Sequence, residues 1–86
     1  MYKEKLINAL NNYESGKSNE EELQLSIESI ASMISENSLY EFRQFLFEVV
    51  RDLELIIFTV NSDESREKCL QQIQLIRVNP MYKELF

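Results

Sequence analysis

Hydrophobic residues recur at helical spacing from the start of the chain. The first of them are three or four residues apart: Tyr2, Leu6, Leu10 and Tyr13. Residues at this spacing share one face of a helix, so the pattern predicts a first helix over about residues 2–14. Gly16 follows, and glycine readily adopts the left-handed conformation that ends many helices.

Two polar sequences predict where the next two helices begin. In a capping box, the side chain of a serine accepts a hydrogen bond from an exposed backbone amide of the helix. A glutamate three residues later accepts a hydrogen bond from the backbone amide of that serine. Ser18 with Glu21, and Ser38 with Glu41, have this spacing. A second helix over about residues 19–36 is then predicted by an apolar stripe: Leu23, Ile27, Ile30 and Ile34.

The third helix is predicted over about residues 39–60, the most apolar part of the chain. Its apolar residues alternate at spacings of three and four: Leu39, Phe42, Leu46, Val49, Leu53, Ile56 and Val60. Such a heptad seam is typical of helices in bundles and coiled coils. Charged residues interrupt the segment repeatedly, whereas a membrane span requires about 20 mostly apolar residues. We therefore expect no membrane association.

A polar stretch, NSDES, separates the third helix from a fourth. It offers three candidate N-caps: Asn61, Ser62 and Asp63. The apolar residues that follow predict a fourth helix over about residues 63–78. Pro80 ends this helix, because the residue before a proline disfavours the helical conformation. A short C-terminal turn with Met81, Tyr82, Leu85 and Phe86 remains.

The scarcity of turn residues supports an all-helical fold. The chain has one glycine and one proline, and the tight turns of antiparallel sheets depend on such residues. We therefore predict a single all-α domain, residues 1–86, folded as a compact antiparallel bundle of four helices. Three apolar residues lie off the main seam of the third helix: Phe47, Leu55 and Phe58. Either the other helices surround this helix, or its second face contacts a partner.

The sequence offers little for catalysis. It contains no histidine and no glycine-rich phosphate loop. Its single cysteine, Cys69, is expected to be a small buried hydrophobic residue. Carboxylate pairs such as Glu48 and Asp52 are more typical of solvated helix surfaces than of a catalytic pair. We therefore expect a protein that is not an enzyme, with no catalytic residue, no metal site and no cofactor.

Negative charge is concentrated in one part of the chain. The net charge is −6, and residues 14–36 account for −5 of it, with six acids and one base. The scattered basic residues argue against direct nucleic-acid binding. The acids either form a solvent-exposed helix face and complement the helix dipole, or they form a face that binds a basic protein. The candidate partner-binding residues are Glu20, Glu21, Glu22, Glu28, Glu36, Asp63 and Glu64.

Two segments resemble a known family. The sequences YESGKSNEEELQLSIESI and NSDESREKCLQQI, on either side of a long core helix, resemble the small helical immunity proteins that neutralise bacteriocin nucleases. The resemblance is to the colicin D immunity-like group, in which a glycine-polar-serine/threonine-acid connection similarly leads into the second helix. It implies a cytoplasmic inhibitor whose acidic side chains, here the candidate acids above, bind the basic active-site cleft of a toxin.

Two other classes of function stay open. One is a homodimeric helical scaffold or regulator, whose interface is made by Phe47, Leu55 and Phe58 together with the C-terminal residues Met81, Tyr82, Leu85 and Phe86. The other is a phage-type inhibitor whose carboxylates imitate DNA phosphates. The start of the chain, MYKEKLINAL, lacks the continuous apolar core of a secretion signal, so a cytoplasmic location is expected. The protein is expected to be a monomer or a homodimer.

Overall fold

The described part of the chain is built from helices. The computed structural model describes residues 2–59 and 61–85, apart from the side chains of Ser62 and Leu85. The helices are α1 (Tyr2–Glu14), α2 (Glu20–Met33), α3 (Tyr40–Thr59), α4 (Ser62–Val78) and α5 (Pro80–Leu85). A single 3₁₀ turn, Asn37–Leu39, precedes α3. Within these residues there is no strand, and the predicted all-α bundle is confirmed.

The centre of the bundle is formed by α2 and α3. These two helices share the most extensive packing, and α2 also contacts α1 and α4. The connections between successive long helices are short, which makes sequence neighbours pack as antiparallel pairs. α4 packs against α3 and α2. None of the described helices is long and apolar enough to cross a lipid bilayer.

The heptad seam of α3 faces the core, as predicted. Its described residues are all buried: Leu39, Phe42, Leu46, Val49, Leu53 and Ile56. They meet the buried stripe of α2, which contains Leu23, Ile27 and Ile30. Burial of each large aliphatic side chain contributes about 1.5–3 kcal/mol. The predicted seam residue Val60, and the predicted tail residue Phe86, lie outside the described residues.

The first helix ends as the sequence predicts. Gly16 has a φ of +82°, the left-handed conformation that glycine adopts without strain. The amide of Lys17 donates to the carbonyl oxygen of Asn12 at 2.8 Å, and the amide of Gly16 donates to that of Tyr13 at 3.1 Å. These two bonds satisfy the last carbonyls of α1 and reverse the chain toward α2.

The start of α2 differs from the prediction by one residue. Asn19, rather than Ser18, is the N-cap, and Glu22, rather than Glu21, completes the capping box. The Oδ1 atom of Asn19 accepts a hydrogen bond from the amide of Glu22 at 2.8 Å. Oε1 of Glu22 accepts one from the amide of Asn19 at 2.9 Å. Asparagine is as good an N-cap as serine, so two adjacent capping residues were available.

The predicted boundary between α2 and α3 is also corrected. α2 ends at Met33, three residues earlier than expected, because Ile34 turns to an extended conformation that buries its side chain. Ser38 lies inside the 3₁₀ turn Asn37–Leu39 instead of at an N-cap position, so the second predicted capping box is wrong. The tighter turn lets Leu39 reach the core before α3 begins.

Asn79 links the last two helices. It ends α4 with an extended backbone, and its Oδ1 atom accepts a hydrogen bond from the amide of Met81 at 2.9 Å. Pro80 occupies the first position of α5, where its missing amide proton costs nothing. The predicted C-terminal turn is therefore a short helix. At the other end of α4, Asn61 is the N-cap without a side-chain hydrogen bond.

Two arginines of α4 hold the end of α1. The guanidinium of Arg66 donates to the carbonyl oxygens of Glu14 at 3.0 Å and Tyr13 at 3.4 Å. Arg77 donates to Oε2 of Glu14 at 2.6 Å and to Oδ1 of Asn11 at 2.9 Å. Cations at a helix C-terminus complement its dipole and its free carbonyls. Glu14, one of the acids in residues 14–36, is thereby neutralised within the fold.

The correction at the start of α2 predicts a difference between two adjacent substitutions. Asn19→Ala removes the side-chain oxygen that accepts from the amide of Glu22, while the backbone amide that donates to Glu22 remains, so we expect the free energy of unfolding to fall by about 1 kcal/mol. Ser18→Ala removes no cap and should change it by less than about 0.5 kcal/mol. Chemical denaturation of both variants measures this. A larger loss for Ser18→Ala would contradict the assigned cap.

Candidate functional site

The candidate acids do not lie on one surface. Glu21, Glu28 and Glu36 are exposed, but Glu21 lies in the first turn of α2 and Glu36 lies three residues beyond its end, and the helix is about 21 Å long. Asp63 and Glu64 are exposed in the first turn of α4, where they complement the helix dipole. Glu36 is therefore separated from Glu21 by about the length of α2, so the candidate acids do not form one compact face.

Two of the candidate acids have partners within the fold. Glu22 closes the capping box of α2. Glu20 is half-buried, and its Oε2 atom accepts a hydrogen bond from the hydroxyl of Tyr13 at 2.6 Å. Both carboxylates already bind donors of this chain. A partner protein would have to displace these hydrogen bonds before it could use either carboxylate fully.

The Tyr13 hydroxyl lies in a buried polar cluster at the end of α1. The Tyr13 side chain is fully buried, and the guanidinium carbon of Arg66 lies 5.2 Å from the centre of its ring. Burial, together with the hydrogen bond to Glu20, raises the pKa of Tyr13 far above its ordinary value. Cys69 is also fully buried, as predicted, and burial raises the pKa of its thiol. Its neutral form is therefore favoured, which disfavours nucleophilic chemistry.

The free acid Glu21 borders a groove between α2 and α3. This α2/α3 groove is lined by Glu21, Gln24 and Leu25 of α2 and by Glu54, Ile57 and Phe58 of α3, and its volume is about 400 Å³. Leu25 is 61% exposed and Phe58 is 79% exposed. Among the described residues that line it, the only charged ones are the two glutamates. The groove is thus a partly apolar surface with one carboxylate on each of its two helices.

Helix periodicity explains why these apolar side chains are uncovered. Leu25 is two residues from both Leu23 and Ile27, a rotation of about 200° around α2. Because Leu23 and Ile27 face the core, Leu25 must face outward. Phe58 has the same relationship to buried Ile56 on α3. Neither side chain can enter the core without turning its helix and exposing the buried stripe.

The three candidate interface residues of α3 have different environments. Phe47 is half-buried and packs against the core, with the guanidinium carbon of Arg43 at 4.9 Å from its ring centre. Leu55 is 61% exposed and neighbours Phe58 on the same side of α3. Phe47 is about 16 Å from Phe58 along the helix. The two exposed candidates, Leu55 and Phe58, therefore both lie in the last two turns of α3.

A second groove lies on the other side of α2, against α1. Its walls carry the amides of Asn8 and Asn12 and the hydroxyls of Ser26 and Ser29, and its volume is about 430 Å³. Lys5 is the one charged residue among those described that line it. Leu25 lines both grooves, so it lies between a polar surface that carries one lysine and a surface that carries two glutamates.

Sequence reasoning found part of this site. It identified Glu21 and Phe58, but for separate functions, and it missed Leu25, Glu54 and Ile57 as groove residues. A helical projection of α2 contains the missing signal, because Leu25 is the apolar residue that falls on the face of Glu21 and Glu28. The contact with α3 was not visible without the fold.

Comparison of this chain with protein-family models, with curated proteins and with solved structures finds no match. The resemblance to immunity proteins therefore stays a prediction. Within the described ranges, no group of three or more histidine, cysteine, aspartate or glutamate residues could hold a metal ion.

The buried Tyr13 hydroxyl predicts a pH dependence of stability. The folded state holds the phenol proton more tightly than the unfolded chain, in which the pKa is near 10.0. The Tyr13 contribution is therefore complete below about pH 10 and is lost as the pH rises further, by about 1.4 kcal/mol per pH unit.

Tyr13→Phe tests this contribution. At neutral pH the variant should lose about 1.5–3 kcal/mol, because a hydrogen bond to a carboxylate is removed. Above pH 10 its free energy of unfolding should fall less steeply than that of the original chain. The other tyrosines and the lysines are common to both proteins and cancel in the difference. Parallel pH profiles of denaturant unfolding would contradict the assigned environment.

Proposed function

We propose that this chain is a non-catalytic, cytoplasmic inhibitor of the immunity-protein type, which binds a basic partner protein through the α2/α3 groove. The observation that carries the proposal is that the groove exposes Leu25 and Phe58 and carries one carboxylate on each helix, Glu21 on α2 and Glu54 on α3. Aromatic residues are enriched at protein–protein interfaces, and carboxylates beside them favour a partner of opposite charge.

The two components of the groove have different roles in binding. Burial of Phe58 against a partner contributes about 1.5–3 kcal/mol and slows dissociation. The carboxylates of Glu21 and Glu54 attract a cationic surface and orient it during encounter. The net charge of −6 acts in the same direction at longer range. Rapid association followed by slow dissociation is what an inhibitor of a toxic enzyme requires.

The charge of the groove also limits the kind of partner. Nucleic acids and anionic lipid surfaces are negatively charged and would be repelled by Glu21 and Glu54. Nucleases bind phosphates with lysines and arginines, so their active-site clefts supply the complementary charge. A phage-type inhibitor that imitates DNA would use the same chemistry against a DNA-binding protein. The product of the neighbouring gene distinguishes a toxin inhibitor from an inhibitor that imitates DNA, because an immunity gene lies beside the gene of its toxin.

A second candidate function is self-association through the end of α3. Leu55 and Phe58 are both exposed and adjacent on that helix. A symmetric dimer centred on the groove itself would bring Glu21 and Glu54 of one copy close to the same carboxylates of the other, which is unfavourable. A dimer would therefore have to be centred on Leu55. Sedimentation at high protein concentration measures its presence directly.

Rescue of growth tests the proposed function. The adjacent open reading frame is expressed alone and together with this protein in a host that lacks both. We expect growth arrest in the first case and rescue in the second. The double variant Glu21→Lys/Glu54→Lys should lose the rescue and bind the purified toxin about 100-fold less tightly, because apposed like charges cost several kcal/mol.

The matched control is Glu41→Lys/Glu48→Lys, which makes the same change of charge on exposed positions of α3 outside the groove. It should rescue growth as well as the original protein does. Circular dichroism confirms that both variants are folded. A neighbouring gene whose product is harmless, or full rescue by the groove variant, would overturn the proposal.

Phe58→Ala separates binding from folding. Because Phe58 is 79% exposed, its loss should change the free energy of unfolding by less than about 0.5 kcal/mol. As an interface anchor it should weaken toxin binding by about 30-fold, which corresponds to about 2 kcal/mol. Val78→Ala, at a 48% exposed position of α4 outside the described grooves, is the control. Equal affinities of the two variants would exclude Phe58 as an anchor.

A further inference from the structure

We infer that the α2/α3 groove receives an amphipathic helix of the partner, in which a stripe of apolar side chains has lysine or arginine on both sides. This inference rests on the proposed function and names the chemistry of the bound segment. It follows from three features of the groove: the helices that form it, the apolar residues between them, and the positions of the two carboxylates.

The backbone of the groove favours a helical occupant. Both walls are α-helices, whose interior amides and carbonyls already bind each other along the helix. Within the described ranges there is no sheet edge that could pair with an extended peptide. An occupant must therefore satisfy its own backbone hydrogen bonds while it buries apolar side chains, and a helix does both.

The shape of the groove fits the packing of one more helix. Antiparallel helices in a bundle leave a furrow between them, into which the side chains of a third helix can insert at an axis separation of about 8–10 Å. Leu25 belongs to the α2 wall of this furrow and Phe58 to the α3 wall, and Ile57 of α3 is partly exposed in the same groove. These side chains require leucine-sized or aromatic residues on one stripe of the occupant.

The carboxylates determine where the occupant carries its charge. Glu21 belongs to α2 and Glu54 to α3, so each wall of the groove carries one acid beside its apolar residues. If a helix lies in the groove with its apolar stripe against α2 and α3, one of its flanks is next to Glu21 and the other is next to Glu54. Cations on both flanks satisfy the two carboxylates, whereas cations on the far side of the helix satisfy neither.

Three synthetic peptides of about 18 residues, or five helical turns, test this inference. The first has a leucine stripe with lysines on both flanks. The second has the same composition, but its lysines occupy the face opposite to the stripe and glutamines occupy the flanks. The third is the first with glutamate in place of lysine. Each is titrated into the isotope-labelled full chain, and NMR shifts give both the affinity and the location of binding.

We expect the first peptide to bind about tenfold more tightly than the second, and the third not to bind. Binding of the first should shift the signals of Leu25 and Phe58 and should weaken as salt is added. Glu21→Lys/Glu54→Lys should remove the preference for the first peptide, and Glu41→Lys/Glu48→Lys should retain it. Equal binding of the two lysine peptides, or shifts centred on the α1 side of Leu25, would overturn the inference.

The growth assay and the peptide titration can fail independently. Groove-dependent rescue without a preference between the lysine peptides overturns the helical occupant and leaves the proposed inhibitor intact. Preference for the flanked peptide without rescue supports the occupant and overturns the inhibitor. The groove could instead be occupied by a second copy of this chain, and sedimentation of the free protein tests this alternative. A dimer that is lost in the variant Glu21→Lys/Glu54→Lys would overturn binding of a helix from another protein.

Discussion

The packing of Leu23 and Ile27 against the core fixes how α2 is oriented in the bundle. The two hydrogen bonds of the capping box between Asn19 and Glu22 stabilise the start of the helix, and the turn at Gly16 delivers the chain to that point. Leu25 and Glu21 must then face solvent, so the binding groove is a consequence of the same helix orientation that forms the core.

The fold separates the acids into those it uses and those it leaves free. Glu14 is neutralised by Arg77, Glu20 accepts the Tyr13 hydroxyl, and Glu22 caps α2. The net negative charge of residues 14–36 is therefore larger than the charge that their free carboxylates offer to a partner. The carboxylate of Glu21 is available to a partner because Glu22, the next residue, completes the capping box in its place.

Local sequence patterns predicted the helices but not the contacts between them. The heptad seam from Leu39 to Ile56 repeats the same spacing several times, so the helix would be recognised even if one position departed from the pattern. The capping box was predicted one residue too early because Ser18 and Asn19 are both good caps, and tertiary packing of Leu23 decides between them. The groove depends on two helices at once. Glu54 and Leu25 are distant in sequence, and no periodicity within one helix brings them together.

The orientation of α2 is tested most directly by the solvent exposure of two leucines in solution. A soluble paramagnetic compound broadens the NMR signals of exposed methyl groups more than those of buried ones. Leu23 is 1% exposed and Leu25 is 61% exposed, so the methyl signals of Leu25 should broaden strongly while those of Leu23 persist. Equal protection of both leucines, or stronger broadening at Leu23, would contradict the orientation on which the groove depends.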